Sequence, residues 1–253
     1  MVFLERLKRS FGEYIDLRNF YLLRKIGKWL YPSYRFKWPQ LDWWASEVFN
    51  KYLINFNEYQ GFNTDRRWNL YQLLRLVEDV PGDTAECGVY LGASSYLICK
   101  ANSHSPKYKR QHYMFDSFEG LSEPTRDDGV FWHKSDLTCS FDIAKRNLSG
   151  FKNIEFFKGW IPDKFSEVEN KVFSFVHVDV DLFKPTLDSI LFFYPRLEKG
   201  GILLCDDYGF NTCPGATKAV DEFLSDKPEK MISFCSGGGF LIKGNLTSTT
   251  IPL

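Results

Sequence analysis

From residue 83 onward, short apolar runs alternate with longer stretches whose apolar positions recur every three or four residues. The runs at 84–88, 111–116, 153–157, 172–180, 200–206, 230–235 and 239–243 have the length and the β-branched and aromatic content of buried strands. Helical spacing fills 93–103, 137–148, 184–196 and 215–226. Strands that alternate with helices predict an α/β fold, a mostly parallel sheet of seven strands covered by helices on both faces. The last two runs are joined by Ser236-Gly237-Gly238, which predicts a hairpin adding one antiparallel strand at an edge.

Upstream of residue 83 the pattern is helical throughout. Phe3, Leu4, Leu7, Phe11, Ile15, Leu22, Ile26, Trp29 and Leu30 fall near helical spacing opposite a basic face, as in one or two amphipathic helices. Two prolines in "YPSYRFKWPQ" interrupt them. Further helices are predicted over about 42–55, and from Thr64, read as an N-cap, to about 79. Residues 1–60 therefore read as a helical extension serving as lid or oligomer contact, and 61–253 as the α/β domain. The polar stretch 117–136, with Gly120, Pro124 and Gly129, is longer than a passive connection and predicts a functional lid or a disordered segment.

Charge changes this picture at one end only. Lys+Arg and Asp+Glu balance at 32 each, so no overall field calls for nucleic acid. Residues 1–37 hold nine basic side chains (Arg6, Lys8, Arg9, Arg18, Arg24, Lys25, Lys28, Arg35, Lys37) against Glu5, Glu13 and Asp16. Such a helix fits an active-site cover or a dimer interface, and it also allows peripheral contact with an anionic membrane. The six cysteines form no C-x-x-C pair and no histidine stands at zinc spacing, which predicts free thiols in a reducing, cytoplasmic setting. No run of about 18 apolar residues predicts a membrane span, and charges interrupt the N-terminus where a signal peptide would be apolar.

The first chemical motif is "AECGVYLGASS". A strand ends near Glu86, Gly88 permits a tight turn, Gly92 permits close packing, and a helix begins near Ala93. Helix N-terminal amides then face the crevice. The motif lacks the glycine spacing that holds a pyrophosphate, and its leading acid suits a cationic or hydroxyl-bearing ligand. Asp116 ends the second strand, 28 residues after Gly88, where nucleotide-binding α/β folds bind a ribose diol. Each feature alone also reads as ordinary turn chemistry. Together they predict an adenosine-containing ligand without a pyrophosphate.

The second motif is "VHVDVDLFKPT". Side chains alternate along a strand, so His177, Asp179 and Asp181 share one face. The next strand ends in Asp206-Asp207, one strand–helix–strand unit further on. Carboxylates meeting at one rim repel unless neutralised, and all-oxygen ligation favours a hard cation, Mg²⁺ or Ca²⁺, over zinc. The bland alternative is capping, or pairing with Lys and Arg. His177 either orients an acid, contacts substrate or is a satisfied core residue. His133 reads as a solvated loop residue, His104 and His112 as surface or strand-edge residues, and Lys184 as a solvated helix-start lysine. Phe131 and Trp132 either stack on a sugar or anchor their loop.

With "FDSFEGL", "FFKGW", "GGILLCDDYG" and "GATKAVDEF", these motifs resemble the macrocin O-methyltransferase family over roughly residues 60–243. Its members are class I S-adenosylmethionine enzymes that methylate sugar hydroxyls. The resemblance implies a Rossmann-like methyltransferase sheet. It implies a cofactor site at Glu86, Gly88, Tyr90, Gly92, Ser94, Ser95 and Asp116, with Asp116 on the ribose and Ser117, Phe118, Gly159 and Trp160 lining the pocket. Asp179, Asp206 and Asp207 resemble the family's Mg²⁺ ligands, and Asp181 its general base, with Asp179 also counted in the catalytic machinery. The implied activity is Mg²⁺-dependent methyl transfer to a sugar hydroxyl of an antibiotic, a surface glycan or a nucleotide sugar, in a homo-oligomer. A catechol or polyketide acceptor is the alternative, although catechol-type relatives carry a lysine base where Leu182 and Phe183 stand here. A noncatalytic adenosylmethionine-binding protein and an NAD-linked oxidoreductase are further alternatives. The segment "IPDKFSEV" departs from the family's turn after "KGW".

Overall fold

The computed structural model describes residues 2–38 and 41–244, with side chains of the first helix described from residue 16. The side chains of Phe3, Leu4, Leu7, Phe11 and Ile15, on which half of the amphipathic pattern rests, lie outside the described residues. The chain divides into two compact units, residues 1–59 and 60–253.

In the first unit the stretch predicted as one or two helices is a single one, α1 (Val2–Leu30). The chain then returns along it. Phe36 covers Gly27, where an added Cβ would strike its ring, and Trp38 packs edge-on against Phe20 with centroids 6.0 Å apart. The predicted helix over 42–55 is split. A 3-10 turn at Asp42–Ala45 gives way at Ser46, whose backbone is extended and whose side chain accepts from the Phe49 amide as N-cap of α2 (Glu47–Asn55).

The second unit opens with α3 (Thr64–Leu76). Thr64 is its first residue rather than its cap; Asn63 holds the cap position, and the Thr64 hydroxyl donates to the Gly61 carbonyl at 3.0 Å. There follow β1 (Asp83–Cys87), α4 (Ala93–His104), β2 (His112–Asp116), α5 (Phe141–Asn147), β3 (Ile154–Lys158), β4 (Phe173–Val178), α6 (Phe183–Phe193), β5 (Leu197–Cys205), α7 (Pro214–Leu224), β6 (Ile232–Ser233) and β7 (Gly239–Ile242). Among the described residues these seven strands form one sheet in the order β3-β2-β1-β4-β5-β7-β6. The first five are parallel. β7 runs against both β5 and β6. The one antiparallel strand therefore lies inside the sheet, and the edge is β6, whose two residues are both exposed.

Alternation along the strands covers the sheet on both sides. Tyr113 and Phe115 enter one apolar cluster with Phe165, Phe173 and Phe193, while Met114 between them enters the other with Val89, Phe118, Ala144 and Leu148. Phe193 is fully buried, with ring centroids 5.0 Å from Phe165, 5.1 Å from Phe173 and 5.8 Å from Phe115. α6 stops there because Pro195, which has no amide proton, sits in the 3-10 turn that follows. α5 starts later than predicted because Ser135 and Leu137 take positive φ, 68° and 62°, before Ser140 reaches the cap position.

The stretch 117–136 is docked onto the domain. Thr125 and Asp128 form a capping box, and buried Asp128 accepts from the Phe183 amide at 2.5 Å. Lys218 reaches Asp127 at 2.6 Å, and the Trp132 indole N–H donates to Cys213 Sγ at 3.2 Å. These ties fasten the segment to the first turns of α6 and α7, and Trp132 is an anchor of its loop.

Phe193→Ala removes the ring at the centre of the larger cluster. We expect it to cost about 3–5 kcal/mol of unfolding free energy, read as a lower urea midpoint at unchanged m-value; a loss below about 1 kcal/mol would show that this aromatic cluster is not the main core.

Candidate active site

The crevice lies where β1, β2, β4 and β5 end. At the β1 turn Gly88 has φ +86°, and a Cβ there would collide with the Asp179 carbonyl oxygen. The glycine is required because the end of β4 crosses its backbone. Gly92 has φ +83° at the cap of α4, and a Cβ there would press on Leu148 at 3.2 Å. Asp116, at the end of β2, joins the two turns. One carboxylate oxygen accepts from the Val89 and Tyr90 amides at 2.7 and 2.8 Å, and the other from the Phe118 amide at 2.6 Å. The Gly159 amide donates to the Asp116 carbonyl at 3.0 Å, and the Ser117 hydroxyl to Gly120 at 3.1 Å. Tyr90 and Trp160 are partly exposed along this rim. Gly88, Tyr90, Asp116 and Gly159 thus meet at the ends of β1 and β2, with Trp160 next in the chain, and half-buried Asp116 could serve a hydroxyl-bearing ligand there.

Four residues predicted for that pocket turn inward instead. Ser94 is buried, and the Phe118 ring joins the Val89–Leu148 cluster. Glu86 has no exposed surface, which corrects the expectation that its carboxylate meets a ligand. It accepts from the Ser95 hydroxyl and from His177 Nδ1, the latter at 2.8 Å, and His112 Nε2 lies 3.6 Å away. His112 is likewise fully buried, its Nδ1 2.9 Å from the Thr84 hydroxyl, rather than a surface residue. Burial alone would raise the Glu86 pKa, but the neighbouring imidazoles of His112 and His177 hold it far below the usual carboxylate range. Burial alone would lower that of His177, but Asp206 and Glu86 lift it to about 10. The pair is a buried carboxylate and imidazolium under the crevice floor.

The acids converge as the strand register predicts. Val178 faces Cys205, and the Asp206 amide donates to the Val178 carbonyl at 2.8 Å. One ligand atom each from His177, Asp179 and Asp206 lies within 4.8 Å of the others, and the same holds for Asp181, Asp207 and Cys213. Strand alternation is not what places them. β4 ends at Val178, and Asp181 has φ +59° in the turn beyond. That turn is shaped by Asp207, which accepts from the Val180 and Asp181 amides at 3.1 and 2.7 Å. The Cys213 thiol donates to Asp181 Oδ1 at 3.5 Å.

Two arginines that sequence reasoning passed over enter this cluster from the first turn of α3. One nitrogen of Arg66, Nη2, bonds Asp206 closely and lies 3.4 Å from Asp179 and 3.6 Å from Asp207. Arg67 Nη1 lies 3.6 Å from Asp206 and 4.0 Å from Asp179. The Phe210 ring is 5.2 Å from the Arg66 guanidinium carbon. A signal was present: two adjacent arginines at a helix start oppose the macrodipole and need an anionic partner.

Two cations do not satisfy four acids. Burial would raise Asp206, but Arg66, His177 and Arg67 draw it well below the ordinary range. Asp179 is lifted to about 7 by burial and by the charge on Asp206, Asp181 to about 6 chiefly by burial, and Asp207 is pushed well up by burial and by Asp181 and Asp179. The clustered oxygen donors Asp179, Asp206 and Asp207 fit a hard divalent cation. Arg66 lies where such an ion would be held.

A family model described as Macrocin-O-methyltransferase (TylF) matches residues 64–232. The chain is 27% identical over 152 residues to the 8-demethyl-8-(2,3-dimethoxy-alpha-L-rhamnosyl)-tetracenomycin-C 4'-O-methyltransferase of Streptomyces olivaceus, covering 56% of this chain and 58% of that one. It is 27% identical over 170 residues to the demethyldecarbamoylnovobiocin O-methyltransferase of Streptomyces niveus, covering 61% and 64%. The alignments thus span about three fifths of these curated relatives' length. Among solved structures, the O-methyltransferase NovP superposes with a TM-score of 0.59 at 25% identity, covering 71% of this chain and 79% of that one. The calicheamicin methyltransferase CalS11 gives 0.64 at 19% identity, covering 79% and 88%, a likeness of fold.

Glu86→Gln should cost about 3–5 kcal/mol, as expected for breaking a buried ion pair. The pH dependence follows from both shifts. The Glu86 pKa is depressed in the folded state, so its contribution is complete above the ordinary value of 4.5 and fades below it. The His177 pKa is raised, so its contribution is complete below the ordinary 6.5 and fades as pH climbs through about 10. Urea melts from pH 4 to 10 should show the difference between wild type and Glu86→Gln greatest between about pH 4.5 and 6.5; a difference independent of pH would contradict the ion pair.

Proposed function

The chain belongs to the macrocin O-methyltransferase family and has the class I methyltransferase fold, and on that premise we propose that it transfers a methyl group from S-adenosylmethionine to a sugar hydroxyl with the help of Mg²⁺. The observation that carries this reading is the convergence of Asp179, Asp181, Asp206 and Asp207 beside the β1 glycine turn.

Asp116 would take the ribose hydroxyls of the cofactor, with Tyr90, Ser117, Gly159 and Trp160 around the adenine. The turn at Gly88 and Gly92 lets backbone come close, and Glu86 and Ser95 support it from below. Asp179, Asp206 and Asp207 would hold the Mg²⁺ ion, which as a Lewis acid would lower the pKa of an acceptor hydroxyl and fix its position. Asp181 would serve as the base that takes the proton of the acceptor hydroxyl. Cys213 orients Asp181 through one of its oxygens, and Asp207 holds the Asp181 backbone. Pinning of the 117–136 segment keeps Trp132 and Cys213 at this wall.

A sugar acceptor is favoured on two grounds. Leu182 and Phe183 offer no lysine base beside the acids, and one matched relative is named for a rhamnosyl antibiotic. An antibiotic glycoside, a surface glycan and a nucleotide sugar all offer such an acceptor, one chemistry in three settings. Six free cysteines fit a reducing, cytoplasmic place for the reaction. No helix among the described residues is long and apolar enough to cross a membrane.

The test is methyl transfer from labelled adenosylmethionine to a panel of glycosides, with and without chelator. Asp206→Asn should abolish the divalent-dependent transfer while binding S-adenosylhomocysteine with nearly wild-type affinity. Asp181→Asn should lower kcat by about 10²–10⁴ with KM little changed. Tight cofactor binding with no methylated product from any acceptor would overturn the reading.

A further inference from the structure

Arg66 is the one described cation in reach of all three acids assigned to the metal. A single nitrogen stands among Asp179, Asp206 and Asp207, the position an ion shared by the same three carboxylates would take. We propose that Arg66 is a tethered counter-ion of this rim, and that its guanidinium and a divalent cation are alternative occupants of the same carboxylate oxygens. The inference rests on the Mg²⁺ reading above and adds what governs access to that site.

Three observations carry it. The first is steric. Mg²⁺ binds oxygen at about 2.0–2.1 Å in near-octahedral geometry. An ion so held by these oxygens leaves no room for Nη2 at its present contact with Asp206, so the guanidinium must withdraw. The second is that Arg66 is bound to the rim by charge more than by a full set of hydrogen bonds. Its Nε is buried without a hydrogen-bond partner. Its other links, Nη1 to Asn63 Oδ1 at 3.3 Å and the Phe210 ring, lie outside the acids and can persist when the acids are given up. The third is its placement at the start of α3, where the macrodipole disfavours a cation. What holds it there is its contact with three carboxyl groups, and those are the groups a divalent ion would take over.

Exchange also suits the charge count. Asp179, Asp181, Asp206 and Asp207 face Arg66 and Arg67, while Glu86 and His177 offset each other below. A divalent ion would bring two positive charges to the acids that Arg66 now contacts with one. The arginine would then spare the acids their mutual repulsion and set the threshold concentration at which a divalent ion enters.

Mn²⁺ serves as the probe, titrated into the full chain without cofactor or acceptor and followed by electron paramagnetic resonance of the free ion. Arg66→Met should bind Mn²⁺ at least tenfold more tightly than wild type. Arg66→Lys, which keeps the charge but loses the planar fork and some reach, should fall between them. Circular dichroism reports folding; if Arg66→Met does not fold, Arg66→Lys decides, and binding no tighter than wild type overturns the inference. Equally tight binding in all three proteins overturns it while leaving the metal reading intact. Weaker binding in Arg66→Met also overturns it, since Arg66 would then support the ion. No Mn²⁺ binding in any of the three overturns both.

Discussion

Repulsion among carboxylates at the ends of two adjacent strands is the constraint on which the rest of this molecule turns. β4 and β5 run parallel and end in step, so Asp179 and Asp206 are delivered to one place by backbone hydrogen bonding alone. Asp181 and Asp207 follow in the turns beyond. A domain with a net stability of roughly 5–15 kcal/mol cannot crowd four carboxyl groups together, three of them buried, without compensation. Each neighbouring element contributes some: α3 brings two guanidinium groups, the backbone of the 180–182 turn gives its amides to Asp207, and the α7 start gives a thiol to Asp181.

The compensation extends downward through the sheet. Ser95 on α4 bonds Glu86 on β1, Glu86 pairs with His177 on β4, and His177 Nε2 lies 3.7 Å from Asp206 at the end of β5. A continuous polar chain thus runs beneath the crevice from the helix of the glycine turn to the acid rim. Buried polar groups are costly when unpaired and rigid when satisfied. The glycine turn and the acids are thus linked through Glu86 and His177, the last step being the 3.7 Å approach of His177 Nε2 to Asp206 and not a hydrogen bond.

Much of this was legible in the amino-acid sequence. Period-two and helical spacing located the strands and helices of the α/β domain to within a few residues, because those elements are buried and their patterns strong. The juxtaposition of Asp179 and Asp206 followed from two adjacent parallel strands ending together. What was not legible depends on direction rather than pattern. Glu86 and Asp116 both end strands, and nothing in the spacing says that one turns into the sheet while the other remains at the crevice. Asp181 was placed by alternation, yet a positive φ beyond the strand end governs it. His112 looked peripheral because its partners, Thr84 and Glu86, lie on another strand. Arg66 lies 113 residues before Asp179 and 140 before Asp206, and only the fold joins them.

The two-residue edge strand has a bearing on how copies of this chain can meet. β6 presents scarcely any backbone to an incoming segment, and at the other margin β3 shows Glu155 and Lys158 to solvent. Charged and abbreviated margins discourage strand addition. The sheet is thus protected against lateral growth from one molecule into the next, and a self-assembly of this protein would have to be built from side-chain surfaces of helices and loops.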